Sequence, residues 1–131
     1  VAGCLAGSLA SIASVLLLCR LMGLDGTISA SLLPKSVTTA IAIAVSESLG
    51  GIPGLTVTAV LIAGVLGAMF APAFAKLFHI TDPVAEGTAI GACSHGLGTA
   101  KAIEIGKLQA AMSSIAICLC GIITSMLALF L

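Results

Sequence analysis

Three uncharged apolar runs dominate the sequence, at residues 1–19, 55–75 and 108–131. Each is close to the ~20 residues that a helix needs to cross the hydrocarbon core of a bilayer. Charged residues make up 8% of the chain, whereas a soluble domain carries about 25%. Because so little charge cannot solvate a globule of this length, we expect an integral membrane protein in a lipid bilayer.

The remaining composition excludes several classes of function. The net charge is 0, with 5 basic and 5 acidic residues, so nothing points to a nucleic-acid partner. The 5 cysteines fit no zinc or redox spacing, and Cys93 with His95 offers two ligands at most. Ser94 and His95 are neighbours without an acidic partner, which is not a nucleophile–base arrangement. We therefore expect no metal, no cofactor and no enzymatic activity.

Two further apolar segments, residues 26–49 and 84–107, are each interrupted by a short polar break. The first break contains Leu33-Pro34-Lys35-Ser36-Val37-Thr38-Thr39. The second contains Ser94-His95-Gly96-Leu97-Gly98-Thr99. Pro34 suits the first turn of a new helix, so we expect residues 36–49 and 99–107 to resume as helices. Paired interrupted segments of this kind indicate the binding site of a transporter.

Two topologies fit this order of span, broken segment, span, broken segment, span. Each broken segment either crosses the membrane or enters and leaves on one side as a hairpin. Its halves have roughly 8 to 13 residues, about 12 to 20 Å of helix, which is comfortable for a hairpin. Hairpins would give two span-plus-hairpin units related by inversion, in an all-α polytopic bundle. They would also place Lys76, His79 and Lys107 on one side, which the positive-inside rule makes cytoplasmic.

The breaks favour an anionic solute. A half-helix that begins inside the membrane points unpaired N–H groups and its positive dipole end at the cavity. Such a site suits a small carboxylate with hydroxyl or keto oxygens. The predicted substrate-binding residues are Lys35, Ser36, Thr38, Thr39, Ser94, His95, Gly96, Gly98, Thr99 and Lys101. The candidates for proton coupling are Glu47, His95 and Glu104.

Several of these residues also have structural interpretations. Lys35 could lie at the interface and extend its ammonium to water. Serine and threonine in apolar helices often bond back to backbone carbonyls, and His95 could be a packing residue. Glu47 and Glu104 are proton carriers if they lie deep, and ordinary helix-end charges if they lie at the surface. Lys101 and Glu104 are three residues apart, so a plain ion pair is an alternative.

Longer motifs in the same regions resemble the LrgB/CidB family. They are Leu33 to Thr39, Ser46-Glu47-Ser48-Leu49-Gly50-Gly51-Ile52-Pro53, Ala92 to Lys101, and Cys120-Gly121-Ile122-Ile123-Thr124. The resemblance covers nearly the whole chain, which looks like the C-terminal part of a longer protein. Ala40 stands where many relatives are expected to have proline, which would soften the start of that half-helix. The motifs look bacterial, which implies a multi-pass protein of the inner (plasma) membrane.

The resemblance implies two functions. Some bacterial members are described as antiholin-like proteins that modulate murein hydrolase activity and autolysis with a small LrgA/CidA-type partner. Other relatives are carriers of pyruvate and similar acids, and the plant relative is the plastid glycolate/glycerate translocator. We expect a carrier of small monocarboxylates, with proton coupling as an option and with the lysis regulator as the alternative. A homo-oligomer is compatible with either function.

Overall fold

The computed structural model describes residues 1–130, which form six α-helices and no strand. The helices are α1 (Ala2–Leu21), α2 (Gly26–Leu32), α3 (Thr39–Ser48), α4 (Pro53–Leu77), α5 (Pro83–Ile105) and α6 (Lys107–Ala128). Three of them, α1, α4 and α6, are long and apolar enough to cross a membrane. The predicted all-α membrane class is confirmed. Leu131, at the end of the predicted last span, lies outside the described residues.

Local sequence signals set the helix boundaries. Pro53 and Pro83 occupy the first turns of α4 and α5, where the missing N–H has no intrahelical partner to lose. Asp82 precedes α5, and its Oδ1 accepts a hydrogen bond from the Val84 N–H at 3.0 Å, which satisfies one of the free amides. Gly50 follows α3 with a φ of 77°. That left-handed conformation closes the helix and turns the chain toward α4.

The first broken segment is a hairpin made of α2, residues 33–38 and α3. The start of α4 contacts both of its arms. Ser31 of α2 accepts a hydrogen bond from the Ile52 N–H at 2.7 Å. Ser46 of α3 accepts one from the Thr56 hydroxyl, also at 2.7 Å. The two arms therefore approach the same end of α4, so the segment turns back on itself.

The second broken segment is the hairpin formed by α5. Ser113 of α6 contacts both of its arms: its carbonyl packs against Gly91, and its Oγ shares a hydrogen bond with Thr99 Oγ1 at 2.7 Å. Ile105, the last residue of α5, lines a cavity with residues 79–81, which precede the helix. Both ends of α5 therefore lie beside the end of α4. Of the two topologies left open above, these contacts favour the hairpin for both segments.

The turns of the hairpins differ in detail from those expected. In α5 only His95 leaves helical dihedral angles, with φ 39° and ψ −130°. Gly98 stays helical. A Cβ there would overlap the Ser94 side chain and meet Ile90 Cγ2 at 3.0 Å, so glycine at this position allows the two arms to pack. The helix expected from Ser36 begins at Thr39 instead. Pro34 is buried in the turn that precedes it rather than in its first turn.

The two hairpins enter the bundle from opposite ends, and their turns reach the middle of the long helices. Lys35 in the first turn contacts Ser11, which lies halfway along α1. His95 in the second turn packs against Gly64, close to the middle of α4. The order is long helix, hairpin, long helix, hairpin, long helix. The chain thus contains two helix-plus-hairpin units of opposite direction, followed by α6.

The basic residues outside the turns are concentrated at one end of the bundle. Lys76 lies in the last turn of α4 and Lys107 opens α6, with His79 in the loop between α4 and α5. Arg20 lies in the last turn of α1, at the opposite end. The end that carries Lys76 and Lys107 is called the lysine end below.

Candidate functional site

One cavity, here called the tip cavity, lies where the turns of the two hairpins approach each other. Its volume is about 250 Å³. It is lined by Thr38 and Thr39 of the first hairpin, Val60 and Leu61 of α4, and His95, Gly96 and Leu97 of the second hairpin. The structure therefore brings predicted residues from both breaks, Thr38, Thr39, His95 and Gly96, to one place.

The start of α3 supplies hydrogen-bond donors beside the tip cavity. Thr38 is the residue before the helix, with extended backbone and no side-chain capping bond. The first backbone bond of the helix runs from the Ala42 N–H to the Thr38 carbonyl, at 2.8 Å. The N–H groups of residues 39–41 precede it and have no partner within the helix. Together with the positive end of the helix dipole, they favour an anion.

His95 lines the same cavity from the other side. It is 5% exposed, and its positive φ of 39° is a strained conformation for a residue with a side chain. Its Nε2 is buried and, like Ser8 Oγ, has no hydrogen-bond partner within residues 1–130. An unpaired buried polar group costs about 1–3 kcal/mol. No three His, Cys, Asp or Glu residues in the described chain group to hold a metal ion. His95 is therefore a candidate for contact with a solute.

Two glycines of α4 allow the second turn to approach that helix. A Cβ on Gly64 would lie 2.6 Å from His95 Cε1 and 2.9 Å from Leu97 Cδ1. A Cβ on Gly67 would overlap the side chain of Ser94. Real Cβ atoms do not approach other atoms this closely, so a side chain at either position must displace the contacting side chains or the turn that carries them. The placement of His95 thus depends directly on glycine in α4.

Lys35 belongs to a second polar group, here called the ammonium cluster: Lys35, Ser36 and Ser11. The Lys35 ammonium donates to Ser11 Oγ at 3.3 Å and to Ser36 Oγ at 3.4 Å. The two hydroxyls are 2.7 Å apart. Within residues 1–130 no carboxylate lies within 4.0 Å of Lys35. Because Ser11 is halfway along α1, the contacts do not support an interfacial Lys35. They leave a half-buried cation with only neutral partners.

Ser11 is not among the residues that the sequence analysis predicts for the site. It is one hydroxyl in a run of apolar and small residues, and polar residues of that size are common inside membrane helices. A signal did exist: Ser8, Ser11 and Ser14 recur every three residues along α1. That spacing places neighbouring members near one another on the helix surface. Ser14 is exposed and bonds to the Ser11 carbonyl at 2.8 Å, so only Ser11 reaches the first hairpin.

Three predicted residues of the second break lie outside the tip cavity. Thr99 uses its hydroxyl to bond the His95 carbonyl at 3.0 Å and to contact Ser113. Gly98 packs between the two arms of the hairpin, as described above. Ser94 is buried and lines a different cavity, between α4 and the first arm of α5. These residues shape and fix the turn.

The structure also separates Lys101, Glu104 and Glu47 from the tip cavity. Lys101 and Glu104 form an ion pair with an N–O distance of 2.6 Å, and their side chains are 37% and 67% exposed. Glu47 is exposed near the end of α3. None of the three lines any of the cavities described in residues 1–130. For Lys101 the geometry favours the ion pair that the sequence offered as an alternative.

Replacing Lys101 by alanine is expected to have a small effect. Exposed ion pairs contribute about 0–1 kcal/mol, and most surface substitutions change stability by less than about 0.5 kcal/mol. Thermal unfolding in detergent should therefore stay close to that of the unmodified protein. A destabilisation of more than about 1 kcal/mol in Lys101→Ala would mean that Lys101 has a structural role beyond its ion pair with Glu104.

The sequence of this chain is similar to those of a known protein family. The model of the LrgB-like family matches residues 1–131. Proteins named antiholin-like protein LrgB from Bacillus mycoides (strain KBAB4), Bacillus cereus (strain B4264) and Bacillus anthracis (strain CDC 684 / NRRL 3495) are each 42% identical over 118 residues. The match covers 90% of this chain and 51% of each relative, so the chain spans about half their length. No solved structure matches it. The resemblance inferred from the motifs is confirmed, and the chain belongs to the LrgB-like family.

Proposed function

We propose that the protein is a membrane carrier of small monocarboxylates such as pyruvate, lactate or glycolate. The observation that supports this most is the tip cavity, which two hairpins entering from opposite ends line with their turns. Non-helical backbone at membrane depth is tolerated only around a cavity or inside protein. Carriers place their substrates at such interrupted helices near the middle of the membrane.

Residues of both turns contribute to the binding of such a solute. The free N–H groups at the start of α3 and the hydroxyls of Thr38 and Thr39 bind the carboxylate and a neighbouring hydroxyl or keto oxygen. His95 supplies a further polar contact from the opposite hairpin. Lys35 adds positive charge on the α1 side of the first turn, held by Ser11 and Ser36. The ammonium cluster thus biases the whole turn toward an anion.

His95 is also the proposed coupling group for protons. Of the three candidates from the sequence, it lines the tip cavity, while Glu47 and Glu104 are exposed. Imidazole changes its charge near physiological pH more readily than any other side chain. The His95→Asn variant should therefore still exchange labelled for unlabelled pyruvate across the membrane. It should lose the acceleration of uptake by an imposed proton gradient, whereas Glu47→Gln and Glu104→Gln keep it.

The names of the relatives favour a second candidate function. They are called antiholin-like, which supports a regulator of a holin-type pore and of murein hydrolases more directly than it supports transport. Such a role would require a small LrgA/CidA-type membrane partner. The two functions are compatible, because carboxylate flux changes internal pH and can alter autolysis indirectly. Either function places the protein in the bacterial inner membrane, with the lysine end in the cytoplasm.

Uptake by the purified full-length protein separates the two candidates. Labelled pyruvate, lactate and glycolate are supplied to proteoliposomes under an imposed pH gradient, with and without the small partner. We expect saturable uptake by the protein alone. Uptake only with the partner would make the complex the transport unit. Absence of saturable uptake in both preparations, with normal lysis timing lost on deletion of the protein, would establish the regulator instead.

A further inference from the structure

Two more cavities lie in the interface between α4 and the first arm of α5. The outer cavity, of about 470 Å³, lies at the lysine end and is lined by Lys76, His79 and Glu86 among others. The inner cavity, of about 190 Å³, reaches from Glu86 to Cys93 and Ser94. Neither was expected from the sequence.

The three cavities follow one another along α5. The outer and inner cavities share three lining residues, Ala75, Ile80 and Glu86. The inner cavity ends at Ser94, and the next residue, His95, lines the tip cavity. A molecule that enters at the lysine end therefore meets two adjoining spaces. The contacts of Ser94 with Gly67 and of His95 with Gly64 separate these spaces from the tip cavity.

We infer that this line of cavities is the route by which a solute reaches the tip cavity from the lysine end. The inference rests on the proposed transport function, because it assumes that the tip cavity is the destination. The second hairpin supplies one wall and α4 the other. The lysine end is thus the side from which the solute approaches, and the contacts of Ser94 and His95 with α4 are the barrier that must open before it reaches the tip cavity.

The lining of the route also defines the class of solute. Lys76 offers positive charge at the outer cavity, which His79 also lines. Both lie beside the Glu86 carboxylate, which accepts a hydrogen bond from the Gln109 side chain at 3.1 Å. The inner cavity is lined mainly by alanine, glycine, isoleucine and phenylalanine side chains. Such a lining accepts the carbon skeleton of a short monocarboxylic acid. It penalises every charge that a solute carries, so it disfavours a dicarboxylate or tricarboxylate more than a monocarboxylate.

The thiol of Cys93 allows this route to be tested by chemical labelling. Cys93 is exposed and lines the inner cavity. Cys118 is also exposed but lies on α6 and lines none of the three cavities. In the full-length protein, variants that retain only Cys93 or only Cys118 are treated in sealed vesicles with a charged, membrane-impermeant methanethiosulfonate. A Lys107→Cys variant shows which vesicle face carries the lysine end.

We expect Cys93 to react from the lysine end alone and Cys118 to react from neither face, since thiolates form in water and not in lipid. Pyruvate should slow the labelling of Cys93, and citrate should not. Ala71→Leu, which fills the inner cavity, should abolish both the labelling and uptake. Ala73→Leu, at an exposed position of the same helix, is the matched control and should leave both unchanged.

The outcomes distinguish the route from the proposed function. Labelling of Cys93 from the lysine end without any carboxylate uptake would leave the route standing and remove the carrier function. Cys93 that is unreactive from both faces, or reactive from the opposite end, would overturn the route even if uptake is normal. Equal labelling in Ala71→Leu and Ala73→Leu would likewise overturn it, because the inner cavity would not be the path.

Discussion

Replacing Lys35 by alanine is expected to raise the half-saturation concentration for pyruvate about 10- to 100-fold. Lys35 does not line the tip cavity, so it acts on the solute through its charge. Two unit charges at an effective dielectric constant of about 20 interact by about 2 kcal/mol at ~8 Å, and each 1.4 kcal/mol is tenfold in affinity. Lys35 is the cation that the structure places beside Ser11, halfway along α1, with no carboxylate partner among residues 1–130. Its removal should cost little folding stability, because no buried ion pair is broken. Uptake kinetics and thermal unfolding of the same preparation measure both effects.

The neighbours of Lys35 provide the controls. Ser11→Ala should reproduce part of the loss, because the ammonium then keeps only Ser36. Ser14→Ala removes a hydroxyl from an exposed position of the same helix and should leave the half-saturation concentration unchanged. If Lys35→Ala takes up pyruvate with unchanged kinetics at equal membrane levels, the ammonium cluster has no part in binding.

The Gly64→Ala variant is expected to lose transport by ~100-fold, since displacing a binding group by about 1 Å has effects of that size. The added Cβ would lie 2.6 Å from His95 Cε1, so the His95 ring, or the turn that carries it, must shift away from α4. Overpacking of this kind costs about 1–3 kcal/mol. The loss should therefore appear in uptake and, more weakly, in thermal unfolding.

Gly54→Ala is the matched control for this change. It lies in the first turn of the same helix, and a Cβ there meets nothing within 4 Å. Because alanine favours helix over glycine by about 1 kcal/mol, Gly54→Ala should be as stable as the unmodified protein or more so, with normal uptake. Normal uptake in Gly64→Ala as well would mean that the position of His95 does not matter to transport.

The fold class could be predicted because it depends on the hydropathy of consecutive residues, which the sequence gives directly. Long uncharged runs require helices in a bilayer, and helices bind their own backbone groups. The direction of the broken segments could not be decided this way. It depends on contacts between residues far apart in sequence, such as Ser31 with Ile52 and Thr99 with Ser113. No local pattern encodes those pairs.

Site residues could be predicted from the sequence where a polar side chain interrupts an apolar segment and has no evident structural role there. That reasoning selected Thr38, Thr39 and His95, which do meet at one cavity. It failed to separate Lys101 from them, because an ion pair with Glu104 and a solute contact look alike in sequence. It also missed Ser11, whose importance arises only from its contact with Lys35.

The two hairpins make similar contacts although they enter the bundle from opposite ends. Each is joined to the next long helix by a pair of hydroxyls, Ser46 with Thr56 and Thr99 with Ser113, both at 2.7 Å. Each places one basic side chain at its turn, Lys35 or His95. Hydroxyl pairs of this kind contribute only about 1 kcal/mol each to stability, which is a weak reason for both hairpins to have one. The correspondence therefore supports a shared functional role for the two turns.

A double-mutant cycle across the tip cavity tests most directly whether both hairpins hold one solute. Binding of labelled pyruvate is measured for the unmodified full-length protein, for Thr38→Val, for His95→Asn and for the combined variant. We predict that each single change weakens binding, and that the combined loss differs from their sum by about 0.5–3 kcal/mol, as for residues that share a partner. Additive effects within about 0.5 kcal/mol, or no effect on binding, would contradict a common site.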